Sequence, residues 1–144
     1  MELAGGIQTA GETDIESVSP VVIRRLSEPE LVERFPNLAK LGVHADNPVI
    51  DILAVDAAAL LVIPREKSLE IHLLDTGGDL PKFIYSFRGF RGFARELYPA
   101  TQFFITCVGD PRVAHFICAC GFHRVKSLPG YSVYRCELSL SPEG

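Results

Sequence analysis

The chain has 144 residues, 47% of them hydrophobic and 22% charged, a globular balance that excludes a disordered protein and suits one domain with a real core. No apolar run is long enough to span a membrane, and the opening segment lacks the basic and apolar regions of a signal peptide, so neither a membrane anchor nor a leader is expected. The net charge of −4 traces to Glu2, Glu12, Asp14 and Glu16, in a stretch without Lys or Arg; taking these four from the 18 acids leaves 14 against 14 bases, so bulk charge gives no argument for nucleic acid or anionic membranes.

Residues 1–19 are rich in Gly, Ser, Thr and acid with no periodic apolar face, and read as a flexible arm or one that orders only against a partner. One domain is expected over 20–144. Residues 21–26 (VVIRRL) read as a first strand. Ser27 followed by Glu30 makes a capping box that starts a helix, which Pro36 should break or kink and Gly42 should end. After a turn over 44–48, strands are expected at 51–57, 59–64 and 69–74. Gly77 and Gly78 follow the fourth strand.

Phe83, Phe87, Phe90, Ala94 and Leu97 recur at helical spacing, which places a helix over 79–97. Arg88, Arg91 and Arg95 fall on one side of it, either as a solvated face pairing with acids or as a docking stripe for an acidic partner surface or phosphate. Gly89 and Gly92 each cost that helix roughly 1 kcal/mol against Ala, and point to a close backbone approach.

Residues 102–108 are a β-rich apolar run stopped by Gly109, Asp110 and Pro111. Asp110 suits an N-cap and Pro111 the first helical position, so a short apolar helix should follow and end at Gly121. A strand at 123–128, a Pro129-Gly130 turn and a last strand over 131–140 close the chain. The four Cys at 107, 118, 120 and 136 sit in apolar elements and are expected as reduced, buried thiols of a cytosolic-type compartment. His115, Cys118, Cys120 and His123 fit no standard zinc spacing, and no metal is expected.

The stretch from Gln102 to Phe122 resembles the last strand–helix unit of the GNAT acyltransferase fold. The family signature Asn-x-x-Ala-x-x-x-Tyr-x-x-x-Gly-Phe can be laid on it without gaps: Asp110 at the Asn, Val113 at the Ala, Ile117 at the Tyr, Gly121 and Phe122 at the closing pair. The element order agrees as well, with room for only a short second helix or none between the first two strands. The resemblance implies an α/β (α+β) fold with a mixed, mostly antiparallel, twisted sheet of six or seven strands flanked by three or four helices.

The same resemblance sets expectations for chemistry. In the family the Tyr supplies the proton to the leaving thiolate, and Ile117 has none to give. The family's Gln/Arg-x-x-Gly-x-Gly/Ala loop holds the pyrophosphate of acyl-CoA on backbone N–H groups. Here that point reads Asp75-Thr76-Gly77-Gly78-Asp79, where two carboxylates would face a phosphate. RGFRGFA at 88–94 echoes the loop but would leave too little chain for the helix. Glu70 and His72 share a face of the fourth strand, near where the family places a base.

The pattern is most similar to the GNAT-like virion and assembly proteins of short-tailed bacteriophages, in the Val-Gly-Asp strand end, the His-containing short helix before Gly and the apolar residue at the acid position. It implies a catalytically degenerate component acting by contact with a larger phage protein, in the host cytoplasm or virion. Arg88, Arg91 and Arg95 are then the partner-binding residues, with no cofactor, no membrane and no nucleic acid. The alternative is a divergent acyl-CoA-dependent N-acetyltransferase, with His72 and Glu70 as catalytic candidates, Gly77, Gly78 and Asp110 as cofactor-binding candidates, and acetyl-CoA as cofactor.

Overall fold

The computed structural model describes residues 21–138. The chain runs β1 (Ile23–Arg25), α1 (Glu28–Arg34), α2 (Pro36–Lys40), β2 (Asp51–Val55), β3 (Ala58–Pro64), β4 (Ser68–Asp75), α3 (Leu80–Leu97), β5 (Phe103–Val108), α4 (Pro111–Ala119), β6 (His123–Leu128) and β7 (Tyr131–Glu137). The strands form a seven-stranded sheet in the order β1-β2-β3-β4-β5-β7-β6. Every pairing is antiparallel except β4 with β5.

Local chemistry accounts for the element ends. Ser27 and Glu30 form the reciprocal box that starts α1: the Glu30 N–H donates to Ser27 Oγ at 3.3 Å and the Ser27 N–H to Glu30 Oε1 at 3.0 Å. Pro36 breaks the helix at Phe35 and opens α2, so the second helix is present but only five residues long. Asp79 and Asp110 cap α3 and α4, accepting the N–H groups of Lys82 at 3.0 Å and Arg112 at 2.8 Å. β1 is shorter than expected. The 1–19 arm and the end of the last expected strand, 139–140, lie outside the described residues.

Side-chain alternation along β2 sends Leu53 and Val55 to one face of the sheet and Ile52 and Ala54 to the other. The first face carries the larger core, where α3 and α4 pack Phe83, Phe87, Phe90 and Ile117 against Leu60, Leu69, Phe104 and Phe122. Rings of Phe83, Phe87, Phe90, Phe104, Phe116 and Phe122 meet at centroid distances of 5.4–5.9 Å, edge-to-face or tilted for the most part. On the second face α1 and α2 cover a smaller cluster around Leu26, Leu31, Ile52 and Ala54. Tyr98 and Arg25 both donate to the buried Asp51 carboxylate, which ties the end of α3 to β2 and β1.

Gly89 meets the expectation of a close approach, because a Cβ there would stand 3.0 Å from that of Val21; Gly92 has nothing within 4 Å. The cysteines correct the reading from sequence. All four are free, but only Cys120 and Cys136 are buried; Cys107 and Cys118 are exposed. Cys107 points to the sheet face that α1 and α2 leave open, and Cys118 lies about 100° around α4 from the buried Ile117. An apolar neighbourhood in sequence does not say which side of an element is covered.

Candidate functional site

The β4–β5 ladder is short. Its parallel register runs from Ser68↔Phe103 to Glu70↔Ile105 and stops, although both strands continue. Beyond the last pair, the buried Thr106 hydroxyl donates to the Ile71 carbonyl at 2.7 Å and bridges the two strands. This bridge was not foreseen from sequence, where Thr106 reads only as one more strand residue.

Glu70 and His72 sit beside the end of this ladder. Cross-strand register places them on the α1/α2 face with Phe103, Ile105, Cys107, Val133, Arg135 and Glu137, none of which is buried. Glu70 accepts from Arg65 at 2.6 Å and lies 2.7 Å from His72 Nε2. The Arg65 guanidinium, with His72 adding to it, holds the Glu70 carboxyl below its usual range. Glu70 and His72 share a face as expected and pair there, with Arg65 as a third member that the strand pattern did not reveal. Nearby, the Arg135 guanidinium stacks on Phe103 at 3.6 Å from the ring centroid and also pairs with Glu137.

The loop from β4 to α3 presents its backbone N–H groups to its own side chains. Gly77 N–H donates to Asp75 Oδ1 at 2.8 Å, Gly78 N–H to Thr76 Oγ1 at 3.2 Å, and Lys82 N–H to Asp79 Oδ1 at 3.0 Å. An opening that Gly77 lines, shared with Asp56, Ser86 and Lys82, holds about 10 Å³, room for roughly one water. The pyrophosphate of acyl-CoA needs such N–H groups free, and the residues present do not fit it. Asp75 also accepts from Arg34 at 3.1 Å, and the occupied donors add a second obstacle to the two carboxylates expected to face a phosphate.

Ile117, at the position of the family's acid, is 8% exposed and part of the core under α3. Asp110 serves its helix: its oxygens take the Arg112 N–H and guanidinium, and these bonds hold its carboxyl below the usual range. Arg88 and Arg91 of α3 face the end of α4, and Arg95 the 98–101 turn, rather than acids. Arg88 donates to the Ala119 carbonyl at 3.4 Å, Arg91 to the Cys120 carbonyl at 3.2 Å, and Arg95 to the Thr101 carbonyl at 3.0 Å. The first two place cations at the negative end of the α4 dipole. Among the described residues no group of three or more His, Cys, Asp or Glu could hold a metal ion, and no helix is long and apolar enough to cross a membrane.

A scan of known protein families matches none, and no curated protein matches the chain. Solved structures do. A chimera of the spermidine N-acetyltransferase SpeG of Vibrio cholerae and hSSAT superposes with a TM-score of 0.62 at 12% identity, covering 83% of this chain and 96% of that one. The N-acetyltransferase PseH of Campylobacter jejuni gives 0.59 at 11% identity, over 84% and 100%. An aminoglycoside 6'-acetyltransferase type Ii gives 0.57 at 16% identity, over 84% and 99%. At such identities the likeness speaks for architecture alone: the chain has the fold of the GNAT acetyltransferases.

Proposed function

We propose that this chain is a catalytically degenerate GNAT-fold protein that acts by contact with another protein. The observation that carries the reading is the β4–α3 loop, whose Gly77 and Gly78 N–H groups are spent on Asp75 and Thr76. A phosphate would have to displace both side chains and approach Asp79 as well. Ile117 supports the same reading, since an alkyl side chain in the core has no proton for a leaving thiolate. Partner contact falls to Arg88, Arg91 and Arg95: each spends only part of its five donors on carbonyls, and Arg88 is exposed beside the open Gly92. The narrower role, a structural or assembly component of a bacteriophage particle, rests on the sequence resemblance over 70–122.

A second reading, a divergent acyl-CoA-dependent N-acetyltransferase, has one observation in its favour. Glu70 and His72 form a hydrogen-bonded carboxylate–imidazole pair on an open face at the end of the β4–β5 ladder.

Calorimetric titration of acetyl-CoA into the protein, with a thermal-shift control, separates the two. The degenerate reading expects no heat and no shift up to millimolar ligand. Binding tighter than about 100 μM would raise the melting temperature through linkage and put the acetyltransferase first.

A further inference from the structure

Between the start of α4 and the β6–β7 hairpin lies an open groove of about 350 Å³. It shares no residue with the β4–α3 loop or with the Glu70–His72 pair. Its size is at the lower end of small-molecule sites, roughly 300–1,000 Å³. Val108, Pro111 and Ala114 supply apolar wall, and Tyr134 and Arg124 line it as directly paired neighbours on β7 and β6.

Two side chains in this groove are unspent. Tyr134 is 7% exposed, yet its hydroxyl makes no hydrogen bond to any described residue. Buried hydroxyls almost always find a partner, so an orphan that lines a cavity calls for one from outside the chain. Arg124 forms no ion pair or hydrogen bond with the described residues either. The acid on the rim, Asp110, is already engaged with Arg112 at 3.0 Å. The unsatisfied groups are thus a hydroxyl free to donate and a guanidinium, and both ask for an acceptor.

We infer that this groove binds a small organic carboxylate with a planar apolar body. The carboxylate sits on Arg124 and the Tyr134 hydroxyl, and the body lies against Val108, Pro111 and Ala114. A single negative charge suits one unpaired arginine beside an acidic rim better than a phosphate dianion does. Its anchors, Arg124 and Tyr134, are not among the candidate acyl-CoA contacts, so it stands or falls separately from the proposed function.

The test is a titration followed by amide NMR shifts with three probes: benzoate, benzyl alcohol (the same body without charge) and inorganic phosphate (charge without the body). Benzoate is expected to bind saturably below about 1 mM, with shifts centred on residues 108–114 and 124–134, and to outcompete both controls. Tyr134→Phe and Arg124→Gln should each weaken benzoate about tenfold, the size of one hydrogen bond to a charged group. Tyr134→Phe should leave the melting temperature unchanged or higher, because it removes an unpaired hydroxyl while keeping the ring. The inference is overturned by an absence of saturable benzoate binding, by benzyl alcohol or phosphate binding as tightly, or by variants that bind benzoate as well as the parent. A lower melting temperature for Tyr134→Phe would mean that the hydroxyl has a partner within the protein, and would overturn it too.

Discussion

A side chain at Gly121 would meet two obstacles. The residue has φ +107, a conformation that L-residues rarely adopt, and a Cβ there would overlap the Arg91 guanidinium. That guanidinium donates to the Cys120 carbonyl at the end of α4 and approaches the Cys136 thiol at 3.5 Å. Burial pushes the Cys120 thiol up to about 11, so Arg91 lies among neutral sulfurs rather than thiolates at ordinary pH. Gly121→Ala should therefore cost the backbone strain, roughly 1–3 kcal/mol, and the Arg91 contact as well. Urea unfolding of the single variant and of Gly121→Ala with Arg91→Ala measures the two together. If strain and displacement both act, the double variant loses less than the sum of the single losses, because Arg91 is already absent when the Cβ arrives. Strictly additive losses would mean that Arg91 moves aside freely.

At the scale of elements, the capping residues decide where helices begin, and one of them gives the fold a pH dependence. The Arg24 guanidinium, followed by the Ser27 N–H, holds the Glu30 carboxyl at about 2 against its usual 4.5. A carboxyl whose folded pKa is depressed contributes stability that is complete above the unfolded value and is lost as pH falls toward the folded one. Stability should accordingly drop between about pH 4.5 and 2, and Glu30→Gln should flatten that part of the profile. Thermal melts of both proteins across this window check it; parallel profiles would show that the Arg24 pair is too solvated to matter. The caps at Ser27 with Glu30 and at Asp110 were legible in the sequence, because each acts within a few residues of itself; Asp79 read only as the start of α3. The same locality made the helix break at Pro36 and most strand boundaries readable. What elements do to one another was not. Arg88, Arg91 and Arg95 form a visible stripe on α3, but only the packing of α4 and the 98–101 turn beside it turns them toward carbonyls. Glu70 and His72 are readable as a pair two residues apart on one strand, whereas Arg65 reaches them from outside β4. The groove of Tyr134 and Arg124 joins three segments and has no local signature.

For the molecule as a whole, the two faces of the sheet are unequally held. The α3/α4 face carries six-ring aromatic packing and the inward residues of β3, β4, β5 and β7, while α1 and α2 sit on a cluster with only Leu26, Leu31, Ile52 and Ala54 fully buried. At seven and five residues, α1 and α2 are too short to persist without that cluster. Their outward ties are the solvent-exposed Arg24–Glu30 pair, the half-exposed Arg34–Asp75 pair and the Glu28–His44 pair, each worth little in water. Local opening free energies follow buried apolar contact, so α1 and α2 should open as a unit while the rest of the sheet stays closed. Native-state hydrogen exchange is expected to show α1 and α2 amides exchanging through openings well below the global unfolding free energy. The amides of β4, β5, β7 and the buried side of α3 should approach the global value. Leu31→Ala should widen this gap by exposing the helices further, since it empties the centre of the smaller cluster and leaves the larger one untouched. Uniform protection across both faces would mean instead that the Arg25–Asp51–Tyr98 tie couples the two layers into one cooperative unit.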